Sequence, residues 1–342
     1  MKAMVLNSVT DLGHNSEPLK MVELPKPVPA DNEVLIKVLS CGVCHTELDE
    51  IEGRTPPKIF PVVPGHQVIG IVESTGRRVT KLNIGERIGV AWIFSACGKC
   101  SFCIAGYENL CPEFVATGRD VNGGYAEYMT VPESFAYPIP GIFSNSQAAP
   151  LLCAGSVGYR SLKLSGIEDN GNIGLTGFGA SAHIVLQIIR HKYPNTKIFV
   201  FARSKSERAF ASELGAFWTG ESSDDIPDKL DCIIDTTPAW KPIIDSLRQL
   251  KPGGRLVINA IRKEESDKSQ LLNLDFSEHL WMEKEIKSVA NVTRKDIIEF
   301  LSLASEIPIL PEIQEYRLSE ANVALTELKK RIIRGAKVLV MD

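Results

Sequence analysis

The stretch Asn172-Ile-Gly-Leu-Thr-Gly-Phe-Gly-Ala-Ser-Ala182 sets the architecture of the second half of this chain. Its first five residues form a short apolar strand, and Gly177, Gly179 and Ala182 then follow in the pattern G-x-G-x-x-A. The apolar residues after Ala182 recur at helical spacing. A strand, a glycine turn and a helix in this order are typical of a dinucleotide-binding unit, because the turn lets a pyrophosphate approach the helix N-terminus.

Further strands and helices alternate after this unit. The sequence predicts strands at Lys197–Phe201, Asp231–Asp235 and Arg255–Asn259, and helices at Ser206–Leu214 and Pro242–Leu250. Alternation at this pitch predicts a doubly wound parallel sheet. We therefore assign residues 154–292 to a Rossmann dinucleotide-binding domain.

The first part of the chain has a different pattern, in which short strands are separated by turns. The sequence predicts strands at Glu33–Leu39, Val68–Val72 and Arg87–Trp92, with small helical insertions. Near the C-terminus, a helix starting near Lys295 and a closing strand at Ala336–Val340 are expected to return to this part. The predicted fold class is α/β plus β, with a first domain made of residues 1–153 and 293–342.

Composition excludes several classes of protein. The 342 residues are 44% hydrophobic and 23% charged, which is typical of a globular protein with two domains. The formal net charge of −4 gives no reason to expect a nucleic acid or a membrane surface as partner. The apolar run Met1–Leu6 is too short for the core of a signal peptide, so we expect a cytoplasmic protein.

Four of the eight cysteines fall within one short loop. They are Cys97, Cys100, Cys103 and Cys111. Four thiolates at this spacing can form a closed tetrahedral zinc site, which is typically structural. A ferredoxin-type iron–sulfur cluster requires three residues before its last cysteine, and here there are seven. A nucleic-acid-binding zinc ribbon is also disfavoured, because Lys99 is the loop's one basic residue beside Glu108 and Glu113.

A second set of possible metal ligands is scattered along the chain. Cys44, His66 and Cys153 would give a three-ligand zinc site with one open position, as a catalytic zinc requires. Spacing alone does not select them, since Cys41 and Cys44 share a C-x2-C pattern and a lone cysteine is commonly a buried apolar residue. At this level the choice stays open.

Several short motifs, in the same order along nearly the whole chain, resemble the zinc-containing medium-chain alcohol dehydrogenase superfamily. They are Cys41-Gly-Val-Cys44-His45-Thr46, Gly65-His66-Gln67 with Gly70, Gly76 and Val79, the four-cysteine loop, Leu152-Cys153-Ala-Gly155 and Gly177-Phe-Gly179. The resemblance implies a GroES-like catalytic domain at 1–153 and 293–342 beside the Rossmann domain. It implies a zinc-dependent oxidoreductase that transfers a hydride between a small alcohol or aldehyde and a nicotinamide cofactor.

The resemblance also implies roles for individual residues. Cys44, His66 and Cys153 would hold the catalytic zinc, so that two zinc ions are expected per chain. Thr46 would bond the substrate hydroxyl and take its proton. His45 would approach the cofactor pyrophosphate, and Arg294 would contact the cofactor.

Two positions depart from the family pattern. The family usually has a glutamate after the motif histidine, where this chain has Gln67. The proton relay of relatives often ends in a histidine at the place of Asp49. We expect Asp49 to be a solvated carboxylate rather than a relay residue.

The residues after the second Rossmann strand predict the cofactor. An NAD-binding domain usually has an acidic residue there, which bonds the ribose hydroxyls. This chain has Ala202, then Arg203, Ser204 and Lys205. Two cations and a hydroxyl would bind a 2′-phosphate, so the sequence predicts NADP(H) in preference to NAD(H), with the pyrophosphate at Gly177, Gly179 and Ala180.

The substrate itself is not predicted beyond a small alcohol/aldehyde pair. By resemblance, Trp92 and Phe114 would line its pocket. A polyol or cinnamyl-type dehydrogenase on the same scaffold, and a non-catalytic NADP-binding relative, are the alternatives. We expect a homodimer or a homotetramer, with neither a nucleic acid nor a membrane as partner.

Overall fold

The structure is a computed structural model that describes residues 1–307, 309–332 and 334–341. Two compact units are present. Unit 1 consists of Met1–Cys153, Thr293–Ser305 and Leu310–Asp342, and unit 2 consists of Ala154–Val292 and Glu306–Ile309. Among the described helices, none combines the length and the apolar character needed to cross a membrane.

The first part of unit 1 consists mainly of strands. They are β1 (Lys2–Leu6), β2 (Leu19–Glu23), β3 (Glu33–Val43), β4 (Val68–Thr75), β5 (Arg87–Val90), β6 (Ile93–Ser95), β7 (Val115–Ala116), β8 (Tyr128–Pro132) and β9 (Ala136–Pro138). The helices are α1 (His45–Ile51), α2 (Ser101–Ile104) and α3 (Asn145–Ala148), with 3-10 turns at Glu108–Leu110, Glu133–Phe135 and Ala149–Leu152.

Strands and helices alternate in unit 2. The strands are β10 (Asn172–Thr176), β11 (Lys197–Phe201), β12 (Trp218–Gly220), β13 (Leu230–Asp235), β14 (Leu250–Ile258) and β15 (Glu285–Ser288). The helices are α4 (Ala154–Ser165), α5 (Ala180–Lys192), α6 (Lys205–Glu213) and α7 (Lys241–Leu247), with a 3-10 turn at Lys268–Asn273 and a π-helical turn at Phe276–Leu280.

The C-terminal part of the chain returns to unit 1. It contains α8 (Arg294–Glu306), β16 (Ile313–Arg317), a 3-10 turn at Leu318–Glu320, α9 (Ala321–Lys329) and β17 (Ala336–Val340). Strand β17 pairs antiparallel with β3, so the closing strand completes the sheet of the N-terminal part.

The main sheet of unit 1 has the strand order β16-β17-β3-β4-β5-β9, and β8 also pairs with β3. Strand β3 is its long central member. Val34, Ile36 and Val38 alternate along it and are fully buried, so one face of β3 packs into the hydrophobic core. The strand ends at Val43, which places Cys44 at the edge of this core.

The sheet of unit 2 is parallel, with the strand order β12-β11-β10-β13-β14-β15. This confirms the predicted doubly wound fold. The chain runs from β10 to β11 and β12 on one side of β10, and then returns to β13 on the other side. The topological switch point therefore lies between β10 and β13. In such sheets, ligands bind at the carboxyl ends of the strands beside the switch point.

Most predicted elements of unit 2 have the expected bounds within a few residues, but one boundary is wrong. The helix predicted over Pro242–Leu250 ends at Leu247, and Leu250 already belongs to β14. Leu250 pairs with Leu230 of β13, so its backbone bonds go to the sheet. An apolar residue at helical spacing can equally be the first residue of a buried strand, and periodicity alone does not separate the two.

Candidate active site

Three side chains from distant parts of the chain converge within unit 1. The ligand atoms of Cys44, His66 and Cys153 all lie within 4.8 Å of one another. Nε2 of His66 is 3.3 Å from Sγ of Cys153. His66 is fully buried, while the two cysteines are half-buried. Two thiols and one imidazole are the donor set of a catalytic zinc site with a fourth position for substrate.

Each of these residues is fixed by its local backbone. Cys44 lies between the end of β3 and the start of α1, and Cys153 follows the 3-10 turn Ala149–Leu152. His66 follows Gly65, which has φ +98°. A Cβ at Gly65 would lie 2.4 Å from the ring of Tyr125. Only glycine fits there, so the Gly-His pair of the sequence is a steric requirement of this loop.

Glu47 is a functional residue that the sequence analysis missed. Its side chain is fully buried, and Oε1 lies 2.5 Å from Nδ1 of His66. Its other oxygen, Oε2, accepts a hydrogen bond of 2.8 Å from the backbone N–H of Cys44. With Nδ1 bonded to a carboxylate, Nε2 of His66 faces the two thiols, as in carboxylate–histidine–zinc arrangements. The sequence feature that could have indicated Glu47 is an acidic residue three positions after a ligand cysteine.

The electrostatics of the cluster favour metal binding. A hydrogen bond from the Cys153 thiol, helped by His66, lowers the pKa of Cys44 well below its usual value, so Cys44 is the thiolate of the pair. Burial acts to lower the pKa of His66, but Glu47 and Cys44 outweigh it and raise that pKa well above its usual value. The anionic sulfur of Cys44 attracts a divalent cation, which would displace the proton on Nε2 of His66 on binding.

Thr46 lies beside the cluster. Its hydroxyl oxygen is 3.7 Å from Sγ of Cys44, and the residue is 7% exposed. Cys41, which the sequence left as a rival ligand, is fully buried on β3, and its thiol contacts the carbonyl of Gly42. Cys41 does not belong to the group of converging ligand atoms in the described residues.

The second group of candidate ligands is the four-cysteine loop. Sγ atoms of Cys97, Cys100, Cys103 and Cys111 all lie within 4.8 Å of one another. Backbone N–H groups point at these sulfurs, including those of Cys97 toward Cys111 at 3.5 Å and of Cys100 toward Cys97 at 3.4 Å. Bonds from the backbone N–H groups of Lys99 and Cys100 lower the pKa of Cys97 to about 6. Four sulfur donors fit zinc and leave no open position.

The glycine turn of unit 2 has room for an anion. Gly177 has φ +77°, and α5 begins at Ala180. A Cβ at Gly179 would meet nothing within 4 Å, so the space in front of the turn is open. The first turn of α5 contains no acidic residue and has no side-chain cap. Unpaired N–H groups at a helix N-terminus bind phosphate groups well, so this turn fits the pyrophosphate of a dinucleotide.

The predicted 2′-phosphate residues follow β11. Arg203 and Lys205 are exposed, and neither forms an ion pair with another residue in the described ranges. Ser204 caps α6 by accepting the N–H of Glu207 at 3.3 Å. Arg208 was not foreseen: its guanidinium donates to the carbonyls of Ala202 and Arg203 at 2.7 and 3.0 Å and holds this loop in place.

Comparison with known proteins settles the family. Residues 30–141 match the alcohol dehydrogenase GroES-like domain. The chain is 39% identical over 329 residues to the probable alcohol dehydrogenase AdhA of Mycobacterium tuberculosis, covering 95% of this chain and 93% of that protein. This chain belongs to the zinc-type medium-chain alcohol dehydrogenase family. An alcohol dehydrogenase of Geobacillus stearothermophilus is 31% identical over 99% of this chain and 98% of that protein.

A solved structure agrees with this membership. The cinnamyl alcohol dehydrogenase SbCAD4 of Sorghum bicolor has a TM-score of 0.84 and 27% identity, covering 98% of this chain and 97% of that chain. The chain is therefore an oxidoreductase that acts on alcohols, and its GroES-like and Rossmann folds are confirmed.

The structure corrects one expectation about this dehydrogenase. Asp49 is not a solvated carboxylate. It is 4% exposed and accepts a hydrogen bond of 2.7 Å from Nε of Arg54. The reason is that α1 is buried along nearly its whole length, so the carboxylate needs a cationic partner inside the protein.

Gln67, the other departure from the family pattern, is 3% exposed. Its amide packs on Gly42, where an added Cβ would lie 2.8 Å from Cδ and Oε1 of Gln67. The dehydrogenase therefore has a neutral amide at position 67, and this amide packs against β3. The carboxylate bonded to His66 comes from Glu47 instead.

The predicted pocket residues lie together. The rings of Trp92 and Phe114 are 5.2 Å apart between centroids, and the guanidinium of Arg119 lies 5.2 Å from the first ring and 5.4 Å from the second. Trp92 is 8% exposed and belongs to the core of unit 1. Their contact with substrate stays a prediction.

The two remaining cofactor candidates lie in unit 1. His45 is exposed at the start of α1. Arg294 begins α8, where its backbone N–H and Nε both donate to Oε1 of Glu108, at 2.7 and 2.9 Å. Its guanidinium also lies 5.1 Å from the ring of Phe135. The pairing with Glu108 was not foreseen, and the cofactor contacts of both residues stay predictions.

Proposed function

We propose that this alcohol dehydrogenase is zinc-dependent and transfers a hydride between NADP(H) and a small alcohol/aldehyde pair. The observation that carries the proposal is the convergence of Cys44, His66 and Cys153, with Glu47 bonded to Nδ1 of His66. These three residues would hold the catalytic zinc, and Cys97, Cys100, Cys103 and Cys111 a structural zinc. The chemistry that zinc supplies in a three-ligand site is Lewis acidity toward a substrate oxygen.

The protein side chains have distinct roles in this proposal. Glu47 orients His66 and strengthens its basicity. Thr46, beside Cys44, accepts a hydrogen bond from the substrate hydroxyl, and during oxidation it takes that proton while its own hydroxyl proton passes on to water. Burial of these groups excludes bulk water, which strengthens each of their hydrogen bonds.

Unit 1 is the proposed catalytic domain, and unit 2 the proposed cofactor domain. Gly177, Gly179 and Ala180 would bind the pyrophosphate at the start of α5. His45 and Arg294 are further residues that would contact the cofactor. We expect a cytoplasmic homodimer or homotetramer.

The preference for NADP(H) rests on the loop after β11. Ala202 stands where an acidic residue would select NAD, and the exposed cations Arg203 and Lys205 flank Ser204. A 2′-phosphate needs such donors, and it would be repelled by a carboxylate. Equal or better catalytic efficiency with NADH than with NADPH would contradict this part of the proposal.

A second substrate class competes with a small aliphatic alcohol/aldehyde pair. The likeness to a cinnamyl alcohol dehydrogenase and the contact of Trp92 with Phe114 favour an aromatic aldehyde as the alternative to a small aliphatic one. A panel of aliphatic, polyol and aromatic substrates, each assayed with NADPH and NADH, tests both points. Turnover with none of them, in protein with a full complement of zinc, would contradict the proposed substrate classes.

A further inference from the structure

A buried ion pair lies at the carboxyl end of the parallel sheet in unit 2. Asp235 is the last residue of β13 and is fully buried, and the side chain of Lys263, after β14, is 7% exposed. Nζ of Lys263 donates to Oδ2 of Asp235. It also donates to the backbone carbonyls of Thr237 and Ala239, at 2.7 and 3.2 Å. All three ammonium hydrogens therefore have acceptors within the same few residues.

The second carboxylate oxygen of Asp235 is equally occupied. Oδ1 accepts the hydroxyl of Thr176 at 2.5 Å and the hydroxyl of Thr237 at 2.8 Å. Asp235 thus connects the end of β10, the loop after β13 and, through Lys263, the segment after β14. Removing two charges from water is costly, and a buried ion pair often stabilises a fold no better than apolar residues of similar size. Stabilisation of the fold does not by itself account for this ion pair, and the positions of the groups that it bonds give a separate reason for it.

The network lies directly against the glycine turn. Thr236 donates its backbone N–H and its hydroxyl to the carbonyl of Thr176, at 2.9 and 2.8 Å. A Cβ at Gly177 would lie 2.9 Å from Oγ1 of Thr236 and 3.0 Å from Cγ2 of Thr237. The backbone turn at Gly177 therefore packs directly on Thr236 and Thr237, in the loop to which Asp235 and Lys263 are hydrogen-bonded.

We propose that the Asp235–Lys263 pair positions the Gly177 turn for the pyrophosphate of the cofactor. This inference rests on the proposed binding of a dinucleotide by unit 2. The pair acts through Thr176, Thr236 and Thr237, and every polar atom of its side chains is bonded within unit 2. Asp235 and Lys263 are positioning residues, since their bonds go to the protein.

The test is direct binding of cofactor, followed by quenching of tryptophan fluorescence or by calorimetry. Lys263→Met removes the cation, and we expect the Kd values for NADPH and for NADH to rise by a common factor of about ten, because a shifted turn weakens contacts that both cofactors share. Zinc content should stay unchanged. The matched control is Lys251→Met, which breaks the exposed pair of Lys251 with Asp231 at the opposite end of the same two strands. It should leave both Kd values unchanged.

A second variant separates positioning from simple stability. Lys263→Met alone leaves the Asp235 carboxylate buried without its cation and should lower the melting temperature. Asp235→Leu combined with Lys263→Met replaces the ion pair by apolar side chains and should bring the melting temperature back toward that of the wild type. The proposal predicts that cofactor affinity stays weak in this double variant, because the carboxylate that accepts the hydroxyls of Thr176 and Thr237 is then missing as well. Recovery of both Kd values together with the melting temperature would overturn it.

The outcomes also distinguish this inference from the proposed function. Wild-type protein that binds neither NADPH nor NADH would overturn both. Tight binding by the wild type and unchanged Kd values in Lys263→Met would overturn the positioning role alone. A weaker Kd for only one of the two cofactors would also contradict it, since the pyrophosphate is common to both.

Discussion

The Oε1 atom of Glu47 lies 2.5 Å from Nδ1 of His66, and both side chains are inaccessible to solvent. This contact fixes which imidazole nitrogen faces Cys44 and Cys153. It also explains how a carboxylate can lie near the candidate metal site although Gln67 follows the motif histidine. Helix α1 supplies it, one turn after Cys44.

The first prediction concerns this contact. Glu47→Gln keeps an acceptor for Nδ1–H but removes the negative charge, so zinc affinity at the three-ligand site should fall about tenfold or more. Competition with a chromophoric chelator measures it, and the loss should affect one zinc per chain. Glu52→Gln, at the end of the same helix, is the control. Equal zinc affinity in Glu47→Gln and wild type would refute the role of Glu47.

The second prediction concerns the loop after β11. Replacing Arg203 and Lys205 together by alanine should lower kcat/KM with NADPH by about tenfold or more, because charge-assisted bonds to a phosphate are lost. The value with NADH should change less than about twofold, since NADH has no 2′-phosphate. Lys192→Ala, an exposed cation at the far end of α5, is the control. A parallel loss with both cofactors would show that these cations do not recognise the phosphate.

The third prediction follows from the different pKa values of the thiols. In protein stripped of zinc at pH 7, Cys97, with a pKa of about 6, is above its pKa and should be alkylated quickly as a thiolate. Burial raises the pKa of Cys232 to about 12, so Cys232 should stay unmodified until the protein unfolds. Peptide mapping by mass spectrometry after a timed pulse of iodoacetamide measures both. Zinc-loaded protein is the control, in which Cys97 should be protected.

The fourth prediction tests whether Asp49 relays protons. Because Asp49 is bonded to Arg54 and 4% exposed, Asp49→Asn should lower the free energy of unfolding by about 1 kcal/mol through the loss of a charged hydrogen bond. We expect kcat and its pH profile to stay close to those of the wild type. Denaturant unfolding and steady-state kinetics measure the two effects. A shifted pH profile with unchanged stability would restore Asp49 as a relay residue.

The parallel sheet and its glycine turn could be predicted because their signal is local. The strand Asn172–Thr176, the glycines and the helical periodicity after Ala182 lie within one continuous stretch. Periodicity did not place the end of α7, where Leu250 satisfies both a helical and a strand pattern.

The metal site shows the opposite case. No local pattern relates Cys44 to His66 or Cys153, so family resemblance supplied the choice, and the structure brings the three together. Neither Glu47 nor the pair of Arg294 with Glu108 was predicted. The sequence does not distinguish a glutamate that becomes buried from one that stays in solvent. Asp49 was misjudged for the same reason: burial of a helix on all sides depends on tertiary packing.

The most direct test of the proposed catalytic site is the zinc content of the wild type and of His66→Ala. Inductively coupled plasma mass spectrometry measures the number of zinc ions per chain. The two groups of candidate ligands predict two zinc ions per wild-type chain. His66→Ala should keep one zinc, in the four-cysteine loop, remain folded and lose turnover. Two zinc ions per chain in His66→Ala, or undiminished alcohol oxidation by it, would contradict the assignment of Cys44, His66 and Cys153 as the catalytic metal site.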